Sequence, residues 1–272
     1  MALKDLPNGN QSCIIGDVKK LIFKSNEYGL EKDRDMEKEN IQILEEIKRK
    51  KYDFSEVDKK AIVEMCLNQI GNQNSAIRDD LIYGILAHLF YDQLFNEDEL
   101  TVYMERLFSE AFLSYDMENK ETYSVLVRSF SVLQLVILVY VHRRDNIIEK
   151  PVIEKLYQTF ITYFDQEKIL IGYDLEVGWL HAIAHSADLF SELMQITWFD
   201  EAHLKTMFDA IANKVKQENY YFMFNEDERL VVAIKKGIER QILPQAYILS
   251  WLDQFVITDT PNVYPQLIFY NN

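Results

Sequence analysis

"LVRSFSVLQLVILVYV", residues 126–141, decides how this chain can fold. Apolar residues cover nearly the whole circumference of any helix built from it, so such a helix needs neighbours on several sides. Its greasiest part, "VLQLVILVYV" (132–141), is only ten residues long. A bilayer-spanning helix needs about 20 apolar residues. Arg128 stands before this segment, and His142, Arg143 and Arg144 follow it. The reading is a buried core helix.

The segments on either side differ in character. "EDELTVYMERLFSEAF" (97–112) and "PVIEKLYQTFITYF" (151–164) each keep one polar face, whereas "GWLHAIAHSADLF" (178–190) is again largely apolar. Helical periodicity predicts helices over 35–51, 55–70, 75–94, 97–114, 122–143, 151–167, 176–195, 200–217, 226–240 and 246–256. Ser55 and Ser75 stand as N-caps, and Gly71 falls just past a helix end. The 8 glycines and 5 prolines leave the whole stretch between Gly84 and Pro151 without either. A sheet protein needs turn residues far more often, so long helices with short links fit better.

Near the start of each apolar helix sits a polar residue: Arg78, Arg128, His181 and Arg229, at gaps of 50, 53 and 48 residues. Self-similarity at such a period marks stacked helical units. The expected fold is therefore all-α, a curved array of helical hairpins of HEAT or armadillo kind (an α-solenoid). The four residues should form a row on successive inner helices, about 10 Å apart. In this division 1–34 is an N-terminal extension, 35–257 the helical-repeat domain, and 258–272 a C-terminal tail packed on or beside it.

The formal net charge of −15 would repel nucleic acid unless one face were locally basic. The basic clusters "EIKRKK" (46–51) and "HRRD" (142–145) are short and read as solvated helix ends. Cys13 and Cys66 follow no metal or redox spacing, which suits a reducing compartment. The N-terminal stretch lacks the apolar run of a signal peptide. A cytoplasmic protein with neither nucleic-acid nor membrane partners is expected.

Four segments, "IRDDLIY" (77–83), "VRSFSVLQL" (127–135), "GWLHAIAHSADLF" (178–190) and "NEDERLVVAI" (225–234), occur in an order that resembles a bacterial domain of unknown function, the one numbered twenty-seven eighty-five. The resemblance spans roughly 35 to 240, and G-W-x-H-x-x-A-H-x-A-D is its most specific part. It implies an all-helical protein and no assigned activity. Asn225 stands where glycine is expected before "EDER", and the N-terminal and C-terminal 30 residues look like additions to the family pattern.

His181, His185 and Asp188 fall at i, i+4 and i+7, which places them on one helix face. Two imidazoles one turn apart can share a metal, with a carboxylate completing or orienting the set. That supports an alternative function, a metal-dependent hydrolase using His181, His185 and Asp188, with Glu226 or Asp227 contributing. A site of this kind wants three or four ligands, and one helix offers two nitrogens and one carboxylate. The leading expectation is therefore a pocket with no metal and no cofactor. Its candidate residues are Arg78, Asp79, Tyr83, Arg128, Ser129, Trp179, His181, His185, Asp188, Asp227 and Arg229. Arg128 interrupts an apolar helix and should be paired, with Asp79, Asp188 or Asp227 as the expected acid. "NEDERL" (225–230) and "NEDEL" (96–100) both read as capping boxes at helix starts. No nucleophile–base pair or phosphate loop is visible. The expected function is a non-enzymatic binding or scaffold protein with a central polar groove, its partner an unknown protein or a small anionic ligand.

Overall fold

A computed structural model describes residues 37–118, 123–217 and 220–256. Helices account for most of them. They are α1 (37–49), α2 (Lys59–Asn68), α3 (Tyr83–Tyr91), α4 (Glu97–Leu107), α5 (Val125–Asp145), α6 (Lys150–Gln166), α7 (Ala182–Leu193), α8 (Glu201–Val215), α9 (Glu226–Glu239) and α10 (Gln245–Asp253). A π-helical stretch, Ala76–Ile82, runs directly into α3. One two-residue antiparallel hairpin, β1 (Tyr173–Asp174) and β2 (Gly178–Trp179), precedes α7.

The helices sort into two rows. α3, α5, α7 and α9 pack each against the next, and α4, α6, α8 and α10 form a second series. The rows meet where α4 touches α5, α6 touches α7 and α8 touches α9. Burial follows this division. α5 buries residues all round its circumference, whereas α6 buries only the stripe Ile153, Leu156, Tyr157, Phe160, Tyr163 and Phe164. Phe160 and Phe164 both lie with ring centroids 4.8 Å from Phe190 of α7, a contact that joins the rows. Each such buried ring contributes about 1.5–3 kcal/mol by leaving water. α5 is long and apolar enough to cross a membrane, yet 72% of its most apolar window is buried against neighbouring helices.

Cations tie the connections together. Arg240 Nη1 donates to the carbonyls of Met194 and Ile196, and its Nη2 to those of Thr197 and Phe199. Lys214 Nζ donates to Asp165 O and Glu167 O. Asp165 O and Glu167 O lie at the end of α6, and the carbonyls from Met194 to Phe199 line the turn between α7 and α8. Nothing in the sequence singled out either residue. Of the cluster "HRRD", only part is solvated: His142 is 3% exposed and accepts a hydrogen bond from Ile148 N at its Nδ1.

Several caps differ from expectation. The cap of α2 is Asp58, whose carboxylate accepts from Lys60 N and Ala61 N, rather than Ser55. Ser75 makes no cap bond either, since Asn74 Oδ1 takes the Ala76 N–H. Gly71 is needed for packing and not as a left-handed cap: a Cβ there would meet Val127 Cγ2 at 2.4 Å. The reciprocal box at Asn96 and Glu99 is present. The one expected at Asn225 is absent, because Asn225 adopts φ 64° and its side chain caps nothing. Asparagine is among the few residues that tolerate this region, which accounts for its presence where glycine was expected.

Candidate functional site

The stretch 176–181 is not the start of a helix. Asp174 Oδ1 accepts from Glu176 N and Val177 N, which closes the turn of the β1–β2 hairpin. Gly178 takes φ +79°, and His181 itself sits at φ 49° as the residue before α7. Leu180 N and His181 N both donate to Gly172 O. His181 therefore precedes the helix that carries His185 and Asp188, and only the latter two share its face. The two imidazoles are still neighbours, with ring centroids 5.4 Å apart.

His185 is 5% exposed and its environment defines its protonation. Nδ1 lies 3.1 Å from Ser129 O and 2.9 Å from Ser129 Oγ. A carbonyl only accepts, so Nδ1 carries the proton and Nε2 the lone pair. Ser129 Oγ in turn donates to Leu180 O. Burial, reinforced by His181, lowers the His185 pKa to about 3. For His181, burial and then the charge of Arg229 lower it to about 4. Its ring stacks on Trp179 at 4.4 Å and 6°, and its buried Nδ1 has no hydrogen-bond partner. Both imidazoles are neutral near pH 7.

The other candidate residues divide into two environments. Arg229 Nη1 donates to Asp188 Oδ2 at 2.7 Å, the two side chains being 39% and 34% exposed. Burial raises the Asp188 pKa against the pull of Arg229, and Tyr83 is close enough for its own pKa to rise, through burial and then the Asp188 charge. Tyr83, His181, His185, Asp188 and Arg229 thus form one neighbourhood, with Trp179 beside it.

Arg78 is fully buried, its guanidinium 4.7 Å from the Phe130 ring centroid. Its Nη1 donates to Asn72 O, and its Nη2 to Val177 O and Trp179 O. Asp79 Oδ1 stands 2.8 Å from Arg78 Nε, close enough for an ion pair but misaligned for a hydrogen bond. Arg78 holds the hairpin in place and is not free to clamp a ligand.

Arg128 turns away from this neighbourhood. Its partner is Glu167, which follows α6, and not Asp79, Asp188 or Asp227. Arg128 faces the α6 end while its neighbour Ser129 meets His185. Asp227 lies half-buried in the first turn of α9 with no side-chain bond, where its charge suits the helix dipole. Glu226 is completely buried; Oε2 accepts from Phe224 N, and Oε1 packs where a Cβ on Gly172 would stand. Sequence reasoning missed Tyr173 and Phe224, whose rings lie 4.7 Å and 5.6 Å from Trp179. No period in the sequence marks them, since each strand of the hairpin holds only two residues.

Among the described residues, no three His, Cys, Asp or Glu side chains are arranged to hold a metal ion. The model of the family described as "Protein of unknown function (DUF2785)" matches residues 113–272. The chain belongs to the DUF2785 family. The match takes in α5 to α10 and with them His181, His185, Asp188 and Arg229, while Arg78, Asp79 and Tyr83 lie before it. It begins well after residue 35 and runs to 272, so the C-terminal residues expected above to be additions fall inside the DUF2785 match. No curated protein and no solved structure matches the chain.

Proposed function

We propose that this chain is a cytoplasmic, non-enzymatic binding protein, built as a curved array of helical hairpins of HEAT or armadillo kind with a polar groove around His181 and His185. The two-row packing of α3 to α10 supports the architecture. The observation that carries the function is the state of the groove's polar groups. Ser129 and His185 touch, yet the arrangement is wrong for a nucleophile and its base. Nδ1 of His185 already carries a proton, and the Ser129 hydroxyl is buried and directed at Leu180 O. An imidazole with a pKa of about 3 is also a poor proton acceptor near neutrality. The metal-hydrolase alternative has less support, because Asp188 is engaged by Arg229.

Of the expected partners, a protein fits better than a small anion. The imidazoles supply no positive charge, and Arg229 beside them already faces a carboxylate. The test is hydrolysis of p-nitrophenyl acetate and p-nitrophenyl phosphate by the purified protein, with and without added zinc or manganese. No turnover above a His185→Asn control is expected. Turnover that disappears in that variant would restore the hydrolase. Inorganic phosphate and citrate, added separately, are expected to leave the melting temperature of wild type and Arg229→Gln equally unchanged.

A further inference from the structure

The hairpin beside His181 leaves apolar surface uncovered. Leu175, at its turn, is 95% exposed, and Trp179 and Tyr173 are 40% and 39% exposed. The rings of Tyr173, Trp179 and Phe224 touch one another, with centroids 4.7, 5.6 and 6.1 Å apart. They are packed too closely to admit a molecule between them, so they offer a surface and not a cage. Tyrosine, tryptophan and methionine are enriched where proteins meet, and Met223, next to Phe224, is 60% exposed.

The charge carried by the segments that form this surface has one sign. Residues 169–180 contain Asp174 and Glu176 and no lysine or arginine. From Lys216 to Arg229 there is again none. Arg78, which binds the hairpin, is engaged by its backbone carbonyls, and Arg229, near His181, by Asp188. Asp174 and Glu176 flank Leu175; Glu176 Oε2 accepts from the Tyr123 hydroxyl, and neither carboxylate forms an ion pair among the described residues.

We propose that this hairpin face docks a basic peptide segment of a partner protein, with apolar side chains seated on Leu175, Tyr173 and Trp179 and lysine or arginine heads over Asp174 and Glu176. The proposal rests on the binding-protein reading and gives the partner its chemistry. An acidic segment, a nucleic acid or an anionic membrane would meet repulsion here. A second copy of this chain would bring the same negative face.

Fluorescence anisotropy with three labelled synthetic peptides tests it: alternating Lys-Leu, alternating Glu-Leu and alternating Lys-Ser. The Lys-Leu peptide is expected to bind the full chain most tightly, and to weaken as salt rises from about 50 to about 500 mM. Its affinity should fall about tenfold in Leu175→Ser and further in Leu175→Ser/Trp179→Ser. It should fall several-fold in Asp174→Asn/Glu176→Gln and stay unchanged in Glu97→Gln/Asp98→Asn on α4. Equal losses in the α4 variant, or none in the hairpin variants, would reveal diffuse charge attraction and overturn the proposal, as would failure of all three peptides. Tighter binding of Glu-Leu, lost in Leu175→Ser, would overturn the basic partner while leaving a binding protein. Sedimentation showing a dimer that Leu175→Ser abolishes would assign the face to a second copy. Failure of the binding-protein reading itself would show separately, as turnover in the ester and phosphate assays. Leu175 is so exposed that its replacement leaves the fold intact, which an unchanged melting temperature verifies.

Discussion

Arg128 and Glu167 form a two-pronged ion pair in the interior, Nε to Oε2 at 2.7 Å and Nη2 to Oε1 at 3.0 Å, with 1% and 2% of the side chains exposed. The remaining donors and acceptors are also used. Arg128 Nη1 donates to Tyr115 O and Ser124 Oγ, and Glu167 Oε1 accepts from Ile169 N. The pair thus joins α5 to the end of α6 and to the segment after α4.

Removing one partner strands a charge in the interior, which costs about 3–5 kcal/mol, while replacing both by apolar residues costs much less. Arg128→Met is therefore expected to lower the urea midpoint strongly, and Arg128→Met/Glu167→Leu to recover much of the loss. A single variant within about 0.5 kcal/mol of wild type would show that the pair does not hold these elements together.

Gly71 offers a test of close packing between α5 and the turn after α2. An alanine Cβ would lie 2.4 Å from Val127 Cγ2 and 3.0 Å from Val127 N. Overpacking of this kind costs about 1–3 kcal/mol. Gly71→Ala should destabilise by that amount, and adding Val127→Ala should return only part of it, because the backbone nitrogen stays. Full recovery in the double variant would place the whole conflict in the Val127 side chain.

Two nearly identical stretches make opposite predictions. Asn96 accepts from Glu99 N, and Glu99 Oε2 accepts from Asn96 N, so Asn96→Ala should cost about 0.5–2 kcal/mol. Asn225 caps nothing and holds φ 64°. Asn225→Gly should be neutral or slightly stabilising in thermal melts, whereas Asn225→Ala should lose about 1 kcal/mol, since a Cβ is disfavoured there. A larger loss for Asn225→Gly than for Asn96→Ala would mean that a side-chain cap exists at Asn225.

The same pair shows what the sequence could convey. Helical class was legible, because the apolar spacing of segments such as 126–141 is itself the requirement for burial. Local polarity was less informative: "NEDE" occurs at both helix starts, and tertiary context decides which asparagine caps. That Arg128 needs an acid follows from charge alone, but the choice of Glu167 depends on which loop passes α5. The hairpin was missed because two-residue strands show no period, and because the two histidines at i and i+4 imitate one helix face. The two rings meet without sharing a helix, since His181 reaches His185 from a left-handed residue before α7.

His185 also imposes a pH dependence. Its folded pKa of about 3 lies below the ordinary histidine value near 6.5, mainly through burial. The unfolded chain therefore takes up the proton more readily than the folded one. The stability this histidine contributes is fully present above about pH 6.5 and is lost as pH falls from there toward 3. Within that window one such group gives a slope of about 1.4 kcal/mol per pH unit. Asparagine keeps a donor where Nδ1–H meets Ser129 O but cannot titrate, so His185→Asn should flatten the fall in urea midpoint between pH 6.5 and 4.5. Subtracting the two profiles removes the carboxylates, which titrate alike in both proteins. A difference curve that is flat across the window, or that rises toward acid, would show that His185 binds its proton in the folded state as easily as in the unfolded one.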